Sequence, residues 1–118
     1  MVLYVLPFGG KVELAEYFDA SGRSPFHEWL DRLHAPAAAK VNNALERLER
    51  GNFSNVKSVG AGVFEYRIAF GPGYRVYFGK DGERWVILLA GGTKSRQPED
   101  IARAKERWAE YKPRPARR

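Results

Sequence analysis

Arg67, Arg75 and Lys94 are the residues of this chain whose type and spacing best suit chemistry on an anion. Arg67 closes Gly62-Val63-Phe64-Glu65-Tyr66-Arg67, Arg75 sits inside Phe70-Gly71-Pro72-Gly73-Tyr74-Arg75-Val76-Tyr77-Phe78, and Lys94 follows Leu88-Leu89-Ala90-Gly91-Gly92-Thr93. Side chains alternate between the faces of a strand, so Phe64, Tyr66, Ile68 and Phe70 form one apolar row, and Tyr74, Val76 and Phe78 form the next. Pairing even-numbered residues with even-numbered ones puts Arg67 and Arg75 together on the other face. They are directly opposed for a five-residue loop or diagonal for a three-residue one, about 5 to 8 Å apart at Cβ. Two guanidinium groups that close repel unless an anion lies between them. Glu65 shares their face, so a surface ion pair of little energetic weight is the simpler alternative.

A phosphodiester would use all of these groups. In-line attack by a ribose 2′-hydroxyl needs a proton acceptor, a donor for the leaving oxygen and cations for the charge that builds on phosphorus. Arginines suit the last role because their planar fork binds phosphate oxygens and stays charged. A lysine close to two arginines has its pKa lowered by like charge, which makes Lys94 or Lys57 the candidate base or acid. Tyr77, on the arginine face, is a candidate for stacking on a base or positioning a proton. Arg67 and Arg75 lie off the expected core, so their removal should leave folding intact. A nucleoside-triphosphate loop is excluded, because that motif needs Gly directly before Lys94-Ser95 and Thr93 stands there.

The elements that must hold these residues can be read from pattern. Lys11 to Phe18 predicts a strand. Ser24 before Pro25 predicts an N-cap, and Phe26, Trp29, Leu30 and Leu33 follow at helical spacing to an end near His34. A second helix starts around Pro36, carries Val41, Ala44, Leu45 and Leu48, and stops at Gly51. The two helices are expected to form an antiparallel hairpin over one sheet face. Asn52 to Ala61 reads as a loop carrying Lys57. Trp85 to Ala90 is a continuous apolar run suited to a covered central strand, with Gly91 and Gly92 letting the chain leave the sheet. From Pro98 to Lys112, Ile101, Ala104, Trp108 and Tyr111 form one stripe of an amphipathic helix whose basic residues face outward. The fold class is α+β in the order β-α-α-β-β-β-α. Residues 1–10 read as an accessory segment and 113–118 as a basic tail of one 118-residue domain.

Composition narrows the partner. Of the net charge of +6, +5 falls from Lys94 onward, where nine Lys or Arg face four acids; the first 93 residues hold eleven against ten. Such clustering favours a polyanion. The absence of cysteine removes disulfides and thiolate metal sites, and Val2 to Leu6 is too short for a membrane span or a signal peptide. A cytoplasmic location is the expectation. His27 and His34 do not define a metal site, and no metal or cofactor is expected. Trp29, Trp85 and Trp108 read mostly as core.

Together these blocks, with Leu48-Glu49-Arg50-Gly51-Asn52-Phe53, Val56-Lys57 and Gln97, resemble the RelE/ParE superfamily of type II toxin-antitoxin toxins, in its HigB-like branch of addiction-module killer proteins. The resemblance spans about residues 11 to 112. It implies a RelE-like sheet wrapped by helices and a ribosome-dependent, metal-independent mRNA endonuclease. Arg67, Arg75, Lys94, Lys57 and Tyr77 would be the catalytic set, and Arg67, Arg75, Lys94 and Arg96 would bind RNA. It also implies an antitoxin, by analogy a helix-turn-helix protein, that covers Arg67, Arg75, Ile101 and Trp108 and can build a higher-order complex. Thr93 departs from the pattern, since close relatives often carry an acid there, and Pro98, Glu99 and Asp100 stand where some branches place an aromatic or histidine. Two other readings fit the same fold: a ParE-type inhibitor of DNA gyrase and a non-toxic nucleic-acid-binding domain.

Overall fold

The computed structural model describes residues 11–111, so the expectations for residues 1–10 and 113–118 lie outside the described residues. Strand β1 (Glu13–Glu16) is followed by helices α1 (Pro25–Asp31) and α2 (Ala35–Glu49). Strands β2 (Val56–Gly60), β3 (Val63–Ile68), β4 (Tyr74–Asp81) and β5 (Trp85–Thr93) come next, then a 3-10 turn (Lys94–Arg96) and helix α3 (Gln97–Glu110). The class is α+β. The strands form one mixed sheet in the order β1-β5-β4-β3-β2, antiparallel throughout except for β1 beside β5.

Local chemistry sets the helix boundaries. Ser24 accepts a hydrogen bond from the His27 amide with Pro25 at the first helical position, and His34 Nδ1 accepts from Ala37 N at 3.2 Å to start α2. His34 is thus a cap, which accounts for a helix boundary close to it. Gly51 takes φ +85° and ends α2.

The helical hairpin covers the even-numbered face of β3 and β4, where Tyr66, Ile68, Tyr74, Val76 and Phe78 pack with Phe26, Val41, Ala44 and Leu48. Helix α3 covers part of the opposite face, with Ala104 against Val63, Tyr77, Ile87 and Leu89. That face is therefore no open sheet surface. The stripe holding α3 is assisted by polar contacts. Gln97 Nε2 donates to Glu65, Arg107 Nη1 to the Leu89 carbonyl, Tyr17 to Glu110, and Tyr111 to Asp81.

Two regions differ from the sequence expectation. The expected loop at Asn52 to Ala61 contains β2, which pairs with β3 through a two-residue turn in which Ala61 and Gly62 have φ of 55° and 81°. Positive φ at both positions is what a type I′ hairpin turn demands. Gly91 and Gly92 remain inside β5. They are needed because a Cβ on Gly91 would enter the Trp29 ring from one face, and one on Gly92 would enter the Asp100 carboxylate from the other.

Gly79 offers the same kind of test under α3, since an added Cβ would lie 2.5 Å from the Trp108 ring. Gly79→Ala should lower stability by about 1 to 3 kcal/mol through overpacking. Denaturant unfolding with tryptophan fluorescence measures it, and an unchanged midpoint would mean that Trp108 is not seated on the sheet.

Candidate functional site

The site is built on two cross-strand rows of the face that α3 partly covers. In the first row Lys57 is opposite Glu65, Glu65 opposite Tyr77, and Tyr77 opposite Ala90. The second row sets Arg67 opposite Arg75 and Arg75 opposite Gly92. The loop between β3 and β4 spans residues 69–73, so the arginines are directly opposed. Lys94 joins them because its amide donates to the Gly73 carbonyl at 2.9 Å, which fastens the turn after β5 to that loop.

These elements enclose an open groove of ≈780 Å³ lined by Lys57, Arg67, Arg75 and Lys94, with the 69–73 loop along one wall. Arg67 is exposed, whereas Arg75 is only 4% exposed, so removing Arg75 bears on folding as well as on the groove. Among the described residues no acid forms an ion pair with Arg67 or Lys94. The groove therefore presents net positive charge, with Arg67 and Lys94 unpaired at a partly dry wall that strengthens attraction for an anion.

Beneath the cations lies a carboxylate. Glu65 is fully buried; its Oε2 accepts from Gln97 Nε2 at 2.6 Å and from the Tyr77 hydroxyl at 3.2 Å, and stands 3.7 Å from Arg75 Nε. Its Oε1 has no hydrogen-bond partner and lies 4.0 Å from Lys57 Nζ. The simple surface ion pair is thus replaced by a buried acid placed between Arg75 and Lys57. Glu65 lies on the face that strand alternation assigns it, while its burial, with Gln97 from the start of α3 bonded to it, has no signature in the local sequence.

Tyr77 departs from expectation. It is fully buried, does not line the groove, and spends its hydroxyl on Glu65, so it cannot stack on a base. Burial, followed by the adjacent Glu65 charge, pushes its phenol well above the ordinary value. It positions Glu65 and is no proton shuttle near neutrality. Arg96 is also outside this groove; it lines a second one, between α1 and α3. Ile101 and Trp108 are partly buried and pack under α3 with Tyr17 and Ala90, as core. Neither histidine lines the groove, His27 lying between Glu16 and Asp31. Among the described residues no three His, Asp or Glu side chains gather as metal ligands. No helix among them is long and apolar enough to cross a membrane.

The buried acid predicts unequal costs for the two arginines. Arg75→Ala should destabilise by about 3 kcal/mol, because it removes a charge beside a carboxylate that cannot reach water. Arg67→Ala should stay within about 0.5 kcal/mol. Adding Glu65→Gln to Arg75→Ala should recover part of the loss, since no charge is then left buried. Equilibrium unfolding of the single and double variants decides, and equal costs for the two alanine variants would refute the role given to Glu65.

Residues 28–109, which carry nearly all of these elements, match the family described as phage derived protein Gp49-like (DUF891). The chain is also 49% identical over 81 residues to an uncharacterized protein of Haemophilus influenzae, an alignment covering 68% of this chain and 82% of the relative. The family match, which spans more than half of its length, shows that this chain belongs to the phage-derived Gp49-like family.

Proposed function

We propose that this protein is a RelE-superfamily toxin of the HigB-like kind: a cytoplasmic endoribonuclease that cuts mRNA on the ribosome and is neutralised by a cognate antitoxin. The observation carrying this reading is the groove where Lys57, Arg67, Arg75 and Lys94 converge without a competing acid at Arg67 or Lys94. Four cations around one open groove suit a single phosphodiester whose charge grows during reaction.

In this reading Arg67 and Lys94 bind the phosphate from the rim, and Arg75 supplies fixed charge from the floor. Arg67 reaches the non-bridging oxygens from the exposed rim, while Arg75 is pre-set by burial and by Glu65. Lys57 and Lys94 are the groove's candidates for moving a proton, one accepting it from the 2′-hydroxyl and the other delivering it to the leaving 5′-oxygen. The bond formed joins O2′ to phosphorus and the bond broken is P–O5′. The products are a 2′,3′-cyclic phosphate and a 5′-hydroxyl, with no water consumed in the step. Gyrase inhibition would need no such grouping of cations beside an open groove, so the nuclease reading is preferred to the ParE-type one.

Expression of the chain in cells without antitoxin should arrest growth and create new mRNA 5′ ends within translated codons. Arg67→Ala should reduce cleavage of ribosome-bound mRNA about 30-fold to 1,000-fold, the loss of roughly 2 to 4 kcal/mol of transition-state stabilisation. Arrest without new 5′ ends, accompanied by DNA damage, would favour gyrase as the target.

Cleavage in a pre-assembled ribosome complex should persist after chelator is added, because the groove's own cations carry the charge stabilisation. The upstream fragment should end in a cyclic phosphate or the monophosphate derived from it. A 3′-hydroxyl end would show that water is the nucleophile and would refute the 2′-hydroxyl route.

A further inference from the structure

A second groove, of ≈400 Å³, lies between α1, the end of β5 and α3. Arg32 from the end of α1, Arg96 from the 3-10 turn, and Arg103 and Arg107 from α3 line it, with Glu28 and Asp100 as the acids. The arginines of α3 therefore do not simply face outward. Arg103 and Arg107 are four apart on one face of α3, and Arg96 from the preceding turn and Arg32 from the end of α1 line the same groove.

The charge there is unbalanced. Glu28 is engaged by Arg23 at 2.6 Å, outside the lining, and Asp100 is 9% exposed with its Oδ2 sealed from solvent against Gly92. Among the described residues none of Arg32, Arg96 and Arg103 has an ion-pair partner. Arg107 is held by the Leu89 carbonyl, and burial, then Arg103 beside it, lowers its pKa from the ordinary value. Four guanidinium groups that outnumber the two acids of the concavity, one of them already engaged by Arg23, are stabilised when an anion enters.

Position decides which anion. Thr93 lines the second groove and Lys94 the first, so the two sites meet at the consecutive residues where β5 passes into the 3-10 turn. A ligand with charges repeated along a flexible chain can occupy both. We propose that the second groove is a phosphate subsite for single-stranded RNA, receiving the backbone that flanks the phosphodiester in the first groove. This rests on the RNA-cleaving reading above. An acidic protein segment is the competing occupant.

Binding of fluorescent oligouridylates to the purified chain tests the subsite, with one probe long enough to span both grooves and one dinucleotide. Arg32→Ala combined with Arg103→Ala removes two exposed guanidiniums from the second groove and none from the first. For the long probe the slope of log affinity against log salt should fall by about 1.4, the share of two phosphate contacts on a single strand. The dinucleotide should lose much less. Arg32→Lys with Arg103→Lys should restore the slope, which separates charge from folding, and thermal unfolding of each variant checks the fold.

An unchanged slope for the long probe, while Arg67→Ala still weakens both probes, overturns the subsite and leaves the nuclease reading standing. No binding of either probe to the wild-type chain at low salt overturns both. Loss of affinity for polyglutamate with RNA binding intact overturns the RNA assignment in favour of an acidic protein.

Discussion

A carboxylate sealed inside a sheet face is costly unless the surrounding structure supplies charge and hydrogen bonds, and Glu65 imposes that condition on most of this molecule. Its partners come from three other elements: Lys57 on β2, Arg75 and Tyr77 on β4, and Gln97 on α3. Meeting its needs therefore requires the hairpin register, the strand across from it and the terminal helix to be correct together. The same acid lets Arg75 be buried. Four cations around one groove would otherwise repel, and a fixed negative charge beneath them permits the cluster to exist before any ligand arrives.

The parts of this arrangement legible in the sequence are those with an unbroken period. Phe64, Tyr66, Ile68, Tyr74, Val76 and Phe78 alternate without interruption, so the face shared by Arg67 and Arg75 followed from parity and is the face observed. Ser24-Pro25 and Gly51 act through local backbone chemistry, which needs no tertiary information. Strand β2 had no such period. Val56 packs on the helical-hairpin side and Val59, three residues on, falls by alternation on the α3 side, so its two valines form no period-two row, and a register shift between Ser58 and Gly60 breaks the pattern further. Its turn uses Ala61-Gly62 where Asn-Gly would have been the strong signal.

Burial on the second face was less legible still, because it is created by a helix distant in sequence. Tyr77 and Arg75 alternate onto the same face as Arg67, yet Tyr77 is sealed under α3 and Arg75 is buried beside Glu65, while Arg67 stays exposed. Nothing in the residues of β4 distinguishes the covered end of that face from the open one. The deciding residues are Gln97, which donates to Glu65, and Asp100, which presses on Gly92. Both lie in the first turn of α3, whose polar composition reads as solvent-facing in isolation. The glycines of β5 were visible as glycines, but their reason was not: they make room for Trp29 and Asp100 on opposite faces rather than releasing the chain.

The position of Lys94 depends on an irregularity of the same kind. Along β5, Val86 and Leu88 pack toward the helical hairpin while Ile87 and Leu89 pack toward α3. Strict alternation would send Ala90 back to the hairpin side. Instead Tyr77 pairs with Ala90 and Phe78 with Leu88, which leaves Leu89 as an extra residue and keeps Ala90 on the α3 side. Beyond this bulge the even-numbered positions face α3, and Gly92 comes to lie opposite Arg75. The turn that follows then delivers Lys94 to Gly73 and the groove. A bulge in the middle of an apolar run thus brings a cation from the end of one strand into line with two arginines from its neighbours. Since Leu89 and Ala90 are both apolar, the shift changes which face the strand end serves without exposing either residue to water.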